Sequence, residues 1–483
     1  MAMLSGVLFA LSLPPYNCAL LGWFCVVPLL IAANGKRSLI AMGLGLVAAL
    51  SAGVVQAGWR GETMSLFFAY YPFMLLAPIL ALIVEVASAN RRRLSGLAWT
   101  TLVAAFGVIC EWLTRFLPMP IHLALTQYRS TCLIQIASIT GIWGVSFLLW
   151  WSNAALADWA LRARPALKRR PEPESPVNGA ENRLPVPWPV IVGLTLVASA
   201  LAFGAIALHR PTSADSIDAA AIQDYSGGGD GLSDEGDSEP QPDREDMTKT
   251  AAATGAKFIV WSEECLASGF SPTSTSNSTR DLARKLGVYL TAGYGGSERP
   301  KPYNSAVLIT PDGDVAGVHH KIMLYAEEKR TTRAGTVATA FPTALGRVGV
   351  EICFDTCGTS VTRRETLAGA RLIAVPTNDP VVVRGIMHNL HSTLMPFRAV
   401  ENGVPMVRDD SDGRSEVIDG HGRILAIGPL YASAIVDAVV PLGSGEGTLF
   451  TRLGDWFAYA CILYFVVVLV YGSAQKTSGQ ETL

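Results

Sequence analysis

Gly346-Arg-Val-Gly-Val-Glu-Ile-Cys-Phe-Asp355 is an apolar β-run that stops abruptly at Cys353, with Thr356-Cys357-Gly358 behind it. A nucleophile at a strand end, on a tight turn into a helix, is open to substrate and receives backbone N–H groups. Taken alone, the segment is better explained as a buried structural cysteine. Two further strand ends shift that balance. Ile259-Val-Trp-Ser-Glu263 ends in a carboxylate, and Val318-His-His-Lys321 ends in a cation. A carboxylate serves as general base for a thiol, and a neighbouring ammonium stabilises both a thiolate and a developing oxyanion. Each charge by itself is ordinarily a solvated surface group. Three strand-end groups in the order Glu, Lys, Cys form a much more specific pattern.

Around these segments, residues 211–450 form one stretch of domain size. Strand candidates are Lys257–Trp261, Tyr289–Gly293, Ser305–Thr310, Arg347–Ile352, Leu372–Pro376, Val404–Val407 and Ala434–Val439. Interleaved with helical patterns, they predict an α/β layered fold. The Gly-rich acidic segment 226–246 reads as a surface loop. Of the eight cysteines, Cys265, Cys353 and Cys357 fall in this domain. Their spacing matches no zinc site, and a Cys265–Cys357 disulfide is one option for two of them.

Outside the domain the chain changes character. Of its 483 residues, 50% are apolar and only 16% charged, against roughly 25% charged in a soluble globular protein; mean hydropathy is +0.33. That excludes a disordered or collagen-like chain and an ordinary cytosolic enzyme. The net charge of −2 gives no basic excess to argue for nucleic acid. A bilayer core of about 30 Å needs about 20 helical residues. Runs near 38–58, 64–88, 95–117, 134–161, 187–208 and 454–472 meet that length, and 4–14 and 18–34 read as two shorter segments split by Pro14, Pro15 and Asn17. Lys36 and Arg37, then Arg91, Arg92 and Arg93, then Arg162, Arg164, Lys168, Arg169 and Arg170 fall at every second connection, which the positive-inside rule places in the cytoplasm. The span at 187–208 then delivers residues 211–450 to the opposite side. The expected organisation is membrane helices over 1–210, the catalytic domain over 211–450, and a last helix with a short cytoplasmic tail over 451–483. Glu111 and Arg115, four apart near the end of a span, read as an interfacial ion pair.

Trp261-Ser-Glu263, His319-His-Lys321 and Glu351-Ile-Cys-Phe-Asp355 together resemble the Glu–Lys–Cys triad of the nitrilase, or carbon–nitrogen hydrolase, superfamily. The apolar half narrows the resemblance to the apolipoprotein N-acyltransferase family. It is carried by Leu13-Pro-Pro15, Val27-Pro-Leu-Leu30 and Gln135-Ile-Ala-Ser-Ile-Thr-Gly-Ile-Trp-Gly-Val-Ser-Phe147 with Asn153. Tyr303-Asn-Ser305, His391 through Arg398-Ala-Val-Glu401-Asn-Gly403, Val407-Arg408 and Ile418-Asp-Gly-His-Gly422 continue it. The likeness spans nearly the whole chain.

The resemblance implies a multi-pass α-helical membrane domain of seven or eight spans with an extracytoplasmic nitrilase-like α/β domain, an α-β-β-α sandwich. It implies a bacterial inner-membrane protein, catalytic domain periplasmic, acting as a monomer without metal or cofactor. Glu263 would deprotonate Cys353, whose thiolate attacks the sn-1 ester of a membrane phospholipid. Lys321 and the Phe354 N–H would hold the oxyanion, and the thioester would pass its acyl chain to the α-amine of a diacylglyceryl apolipoprotein, the last step of lipoprotein maturation. Asn304, Glu328, Asp355 and Arg398 would position the site. Ser262 replaces the family's usual Pro, and Phe354-Asp355 its Tyr-Glu. The register of a second functional glutamate holds Lys329, so Glu327 or Glu328 matches only with a shift. Asp410-Ser-Asp-Gly413 stands where the family has Thr-Asn-Asn-Gly. A membrane-tethered hydrolase that passes the acyl group to water and a silent membrane scaffold are the alternative readings.

Overall fold

Phe258-Ile-Val260, Ala306-Val-Leu-Ile309 and Leu372-Ile-Ala-Val375 are apolar without alternation, as strands covered on both faces require, and every one of these residues is buried. The computed structural model describes residues 1–58, 66–117, 120–168, 186–210, 213–225, 243–266, 270–272, 274, 277–297, 300–325, 328–379 and 386–480. They divide into two units: residues 1–127, 143–202 and 456 onward, and residues 128–142 and 203–455.

The second unit holds two six-stranded sheets. Its strands are β1 (Ser216–Gln223), β2 (Phe258–Val260), β3 (Tyr289–Gly295), β4 (Asn304–Ile309) and β5 (Val315–His320), then β6 (Ala340–Thr343), β7 (Gly346–Val350), β8 (Ala370–Thr377), β9 (Met406–Asp410), β10 (Glu416–Ile418), β11 (Ile424–Ile427) and β12 (Ala434–Pro441). The orders are β12-β1-β2-β3-β4-β5 and β11-β10-β9-β8-β7-β6. In each sheet the central three strands run parallel and the outer ones antiparallel. Helices Arg244–Thr254 and Ser278–Leu286 cover the first sheet, burying Met247, Ala251, Leu282 and Ala283 against Ile259, Leu290 and Val307. Helix Ile386–Asn402 covers the second, burying Met395 and Ala399 against Ile373, Val375, Met406 and Ile418. With the sheets facing each other, the α-β-β-α sandwich is the observed fold.

Several boundaries differ from the sequence reading. The strand expected at 404–407 starts at Met406, because Gly403 (φ +64°) ends the preceding helix and Val404 N–H returns to Ala399 O. Residues 226–242 lie outside the described residues, and the end of that expected loop is instead a helix start, with the Asp243 side chain accepting from Glu245 N–H. β1, β6, β10 and β11 were not singled out. Cys265 and Cys357 are free thiols.

In the first unit the expected runs become helices Ala2–Ser12, Val27–Ala33, Ser38–Gly58, Leu66–Asn90, Gly96–Leu113, Trp188–Leu208 and Trp456–Gln480, the last two spans beginning within two residues of the positions read from sequence. Ala2–Ser12 and Ser38–Gly58 meet backbone to backbone: a Cβ at Gly6 would lie 2.0 Å from Ala48 O, the close approach that small residues give apolar helices. The run 134–161 is not continuous. Short turns Thr131–Ile134 and Ala137–Thr140 end at Gly141 (φ +68°, ψ −177°), and a new helix, Ile142–Lys168, begins. Among the described residues, three helices are long and apolar enough to cross a membrane, four if that broken pair counts as one, with shorter apolar helices beside them. Arg169 and Arg170, and the connection 59–65, lie outside the described residues. Glu111 is buried, and its Oε1 accepts from Leu123 N–H (2.8 Å) and the Trp150 indole (2.7 Å), while the Arg115 guanidinium lies 3.6 Å over the Trp112 ring.

Candidate active site

The three sequence-selected groups sit just beyond the C-terminal ends of β2, β5 and β7, where side chains from separate strands converge in a parallel arrangement. Glu263 follows β2 on a turn whose N–H bonds to Thr377 O (3.3 Å) at the end of β8. Gly293 of β3 leaves room for that turn, since a Cβ there would come 2.6 Å from Glu263 Cα. Lys321 closes β5, and its N–H bonds to Asn304 O (2.8 Å) at the start of β4. Cys353 heads a short 3-10 turn, Cys353–Cys357. Its φ is +45°, a left-handed backbone that costs a β-carbon residue about 1–3 kcal/mol and is typical of positions fixed for function.

Lys321 Nζ donates to Glu263 Oε1 (2.6 Å) and to Glu328 Oε1 (2.7 Å). Asn304 Nδ2 bridges the same two carboxylates at 2.7 and 3.1 Å, and its buried Oδ1 has no hydrogen-bond partner among the described residues. Asn378 N–H donates to Glu263 Oε2 (3.1 Å). Glu328 is held from behind by Tyr325 N–H (2.7 Å). The second glutamate is therefore Glu328, one position before the family register; Glu327 lies outside the described residues.

Burial alone would lower the Lys321 ammonium, but the charges of Cys353, Glu263 and Glu328 raise it well above its ordinary value. Burial pushes the Cys353 thiol well up, the Glu263 charge pushes it further, and Lys321 pulls it only part of the way back. A thiol that burial holds protonated needs a base to take its proton in any covalent step. Glu263, bonded to Lys321 and interacting electrostatically with the thiol, is a carboxylate of the type that can serve as that base.

Asp355 is fully buried and clamps the two catalytic strand ends together. Its Oδ1 accepts from Ile322 N–H (3.0 Å) and Met323 N–H (2.7 Å), and its Oδ2 from Ile352 N–H (3.1 Å), with His319 Nε2 at 2.9 Å. Phe354 packs edge-on against Tyr325 of the same loop, ring centroids 5.8 Å apart. At the start of the 3-10 turn its N–H precedes any intrahelical acceptor. Arg398 is buried elsewhere: its Nη2 pairs with Glu401 (2.8 Å). Glu401 Oε1 accepts Ile142 N–H (2.7 Å), so Arg398 braces the segment after Gly141 through Glu401.

A network lies behind Cys353 that joins His391, Arg408 and Asp410, all quoted from the sequence, through Asp379, which was not. His391 Nε2 sits 3.2 Å from Cys353 O and 3.0 Å from Thr356 Oγ1, and its Nδ1 is 2.9 Å from Asp379 Oδ1. Arg408 Nη2 donates to Asp379 Oδ2 (2.7 Å) and Asp410 Oδ2 (2.6 Å). Burial opposes the His391 charge, but Asp379 outweighs it and raises the imidazole to about 10; Asp379, despite its burial, is held well below the usual carboxylate range by His391 and Arg408. Asp379 follows β8 at a strand end, the one sequence signal that marks it. Ligand atoms of Cys353, Asp379 and His391 lie within 4.8 Å of one another, yet a cationic imidazole with both nitrogens engaged is a poor metal ligand.

The arrangement is suited to covalent acyl transfer through Cys353. Residues 5–155 match the model of the apolipoprotein N-acyltransferase N-terminal domain, and 237–448 match that of the carbon–nitrogen hydrolase domain. The apolipoprotein N-acyltransferase of Geobacter metallireducens is 29% identical over 99% of this chain and 95% of its own length. That of Borreliella burgdorferi is 22% identical over 97% and 94%. A carbon–nitrogen hydrolase structure from Helicobacter pylori G27 gives a TM-score of 0.38 at 20% identity over 50% of this chain and 94% of that one. With matches to both halves in one order and relatives alike from end to end, the chain belongs to the apolipoprotein N-acyltransferase family, acyltransferases of the carbon–nitrogen hydrolase superfamily.

Proposed function

We propose that this acyltransferase moves the sn-1 acyl chain of a membrane phospholipid onto the N-terminal amine of a diacylglyceryl-cysteine lipoprotein, by a ping-pong route through a Cys353 thioester. The observation that carries the reading is the junction in which Lys321 and Asn304 join Glu263 to Glu328, all three charges acting on the Cys353 thiol. Glu263 accepts the thiol proton as sulfur bonds to the ester carbonyl. Lys321 and the Phe354 N–H face the oxygen that gains charge. Collapse breaks the C–O bond, and Glu263 returns the proton to the departing lysophospholipid. The lipoprotein amine then attacks the thioester, gives its proton to Glu263, and leaves as an amide while the thiol is restored. Asp355, His391 and Arg408 keep the strand ends in register and do not touch substrate. The apolar helices and the alternating basic connections support a multi-pass placement in the bacterial inner membrane, seven or eight spans in all, with the catalytic unit on the periplasmic side; that one chain carries Glu263, Lys321 and Cys353 supports a monomer.

Intact-mass analysis after incubation with phospholipid tests this. Wild type is expected to gain one acyl mass that neutral hydroxylamine removes, and Cys353→Ala to gain none. A diacylglyceryl-Cys peptide should then clear the mass and acquire an amide-linked chain. An adduct cleared equally fast by water alone would favour the hydrolase, and no adduct with any phospholipid would overturn the proposal.

A further inference from the structure

The loop after Lys321 carries a second feature that the reaction just described does not use. Glu328 turns inward onto Lys321, and the residues directly behind it, Lys329, Arg330 and Arg333, are exposed. Lys301 is drawn to the same turn by a bond from its Nζ to Lys329 O (2.9 Å). Arg333 is fixed by its N–H to Pro302 O (2.9 Å), and its guanidinium lies 4.0 Å over the Tyr303 ring, which itself stacks on His320 at 4.1 Å. None of these four cations has a carboxylate partner among the described residues. Glu328, the described acid next to Lys329 in the chain, is spent on Lys321, Asn304 and Tyr325, while Glu298 and Glu327 lie outside the described residues. Four cations without a carboxylate partner among the described residues, on a lip that starts one residue after Glu328, make a site for an anion. Tyr303 and Tyr325 give that lip an apolar floor.

The position limits what the anion is. With the donor's ester carbonyl at Lys321, only the glycerol carbons separate it from the lipid phosphate. That puts the headgroup within reach of the segment directly after Glu328, which carries the exposed Lys329 and Arg330. A zwitterionic headgroup brings an ammonium of its own against these four cations, whereas one of net negative charge brings none. We propose that Lys301, Lys329, Arg330 and Arg333 recognise the headgroup of the acyl donor and select glycerophospholipids of net negative charge. The proposal rests on the phospholipid being the donor, as stated above.

The test measures the rate of Cys353 acylation by intact mass, using the full chain in nanodiscs. Three compositions with matched acyl chains are compared: phosphatidylcholine alone, phosphatidylcholine with phosphatidylethanolamine, and phosphatidylcholine with phosphatidylglycerol. Wild type is expected to acylate on the order of tenfold faster with phosphatidylglycerol at low ionic strength, with the advantage shrinking as salt screens it. Lys329→Gln/Arg330→Gln/Arg333→Gln should lose the advantage but keep its rate with a water-soluble neutral acyl ester, which reports an intact fold and triad. Equal wild-type rates for all three compositions, or a phosphatidylglycerol advantage that survives in the triple variant, would overturn the proposal. So would an effect of the variant confined to the second half-reaction with an acidic peptide acceptor, because the lip would then read the lipoprotein. The wild-type comparison decides even if the variant does not fold. If no phospholipid acylates Cys353 while the soluble ester does, the donor reading itself has failed.

Discussion

Asp355→Asn changes one atom and removes the clamp between the Lys321 loop and the Cys353 turn. The carboxylate receives two N–H groups on Oδ1, from Ile322 and Met323, and one on Oδ2, from Ile352, with His319 Nε2 beside it. An amide offers one acceptor oxygen, so it keeps the Ile322 and Met323 bonds only by turning its NH2 toward the Ile352 N–H. The lost bonds were to a charged acceptor, worth about 1.5–3 kcal/mol each, and a buried donor is left without a partner. Losing the Ile352 bond alone, with His319 changing tautomer to accept, gives about 2 kcal/mol; losing both gives about 5 kcal/mol. A destabilisation near 3 kcal/mol would lower Tm by about 6–12 °C for a unit of this size. Acylation should fall further than stability implies, because a loop no longer tied to the nucleophile misplaces Lys321 against the developing oxyanion. Thermal denaturation of the full chain and acyl-enzyme formation well below the variant's Tm separate the two effects. A variant within about 1 °C of wild type and with unchanged acylation would refute the clamp.

His391 bears a sign that can be checked against pH. Its imidazole is raised in the folded chain from 6.5 to about 10, so its stabilising charge is fully present below pH 6.5 and is lost as pH climbs toward 10. The Tm gap between wild type and His391→Gln should therefore narrow across that range, and a gap that widens would contradict the ion pair with Asp379. At the helix break, Gly141→Ala places a Cβ at φ +68°, ψ −177°, a region open almost only to glycine. The expected cost is about 1–3 kcal/mol, read as a lower Tm; an unchanged Tm would mean that the break relaxes freely. Glu263→Gln removes the proton acceptor and should slow Cys353 acylation by about 10²–10⁴-fold, while an acylation rate within twofold of wild type would assign the proton to another group.

Much of the catalytic unit is legible because its strands announce themselves. Phe258-Ile-Val260, wholly buried, runs into Glu263, and strand-like runs of more mixed burial end in Lys321 and Cys353; each delivers its last residue beyond a strand end. The edge strands β6 and β11 are short and partly exposed, and β10, though buried, is only three residues long, so none carries a comparable pattern. Glu328 escaped a fixed register because the stretch between Lys321 and the turn Glu328–Thr331 shifts the carboxylate by one residue, and only geometry reveals which glutamate returns to Nζ. The set Asp379, His391, Arg408 and Asp410 is drawn from three separate segments, and no spacing foretells their meeting. Hydropathy alone read 134–161 as continuous, since an apolar average does not register one glycine with a positive φ.

Residues 128–142 belong to the same unit as residues 203–455. Gln135 donates to His421 O at 2.8 Å, and Ile142 N–H is satisfied by Glu401, a residue made about 259 positions later. The catalytic unit is therefore discontinuous in sequence. During synthesis its first piece emerges long before the surfaces that complete it, and waits with unmet hydrogen bonds until the chain beyond Glu401 arrives. A fragment cut at the apparent domain boundary near residue 210 would leave Glu401 and Arg398 with an open buried socket. Such a fragment is expected to aggregate or turn over quickly, unless 128–142 is supplied as a separate peptide.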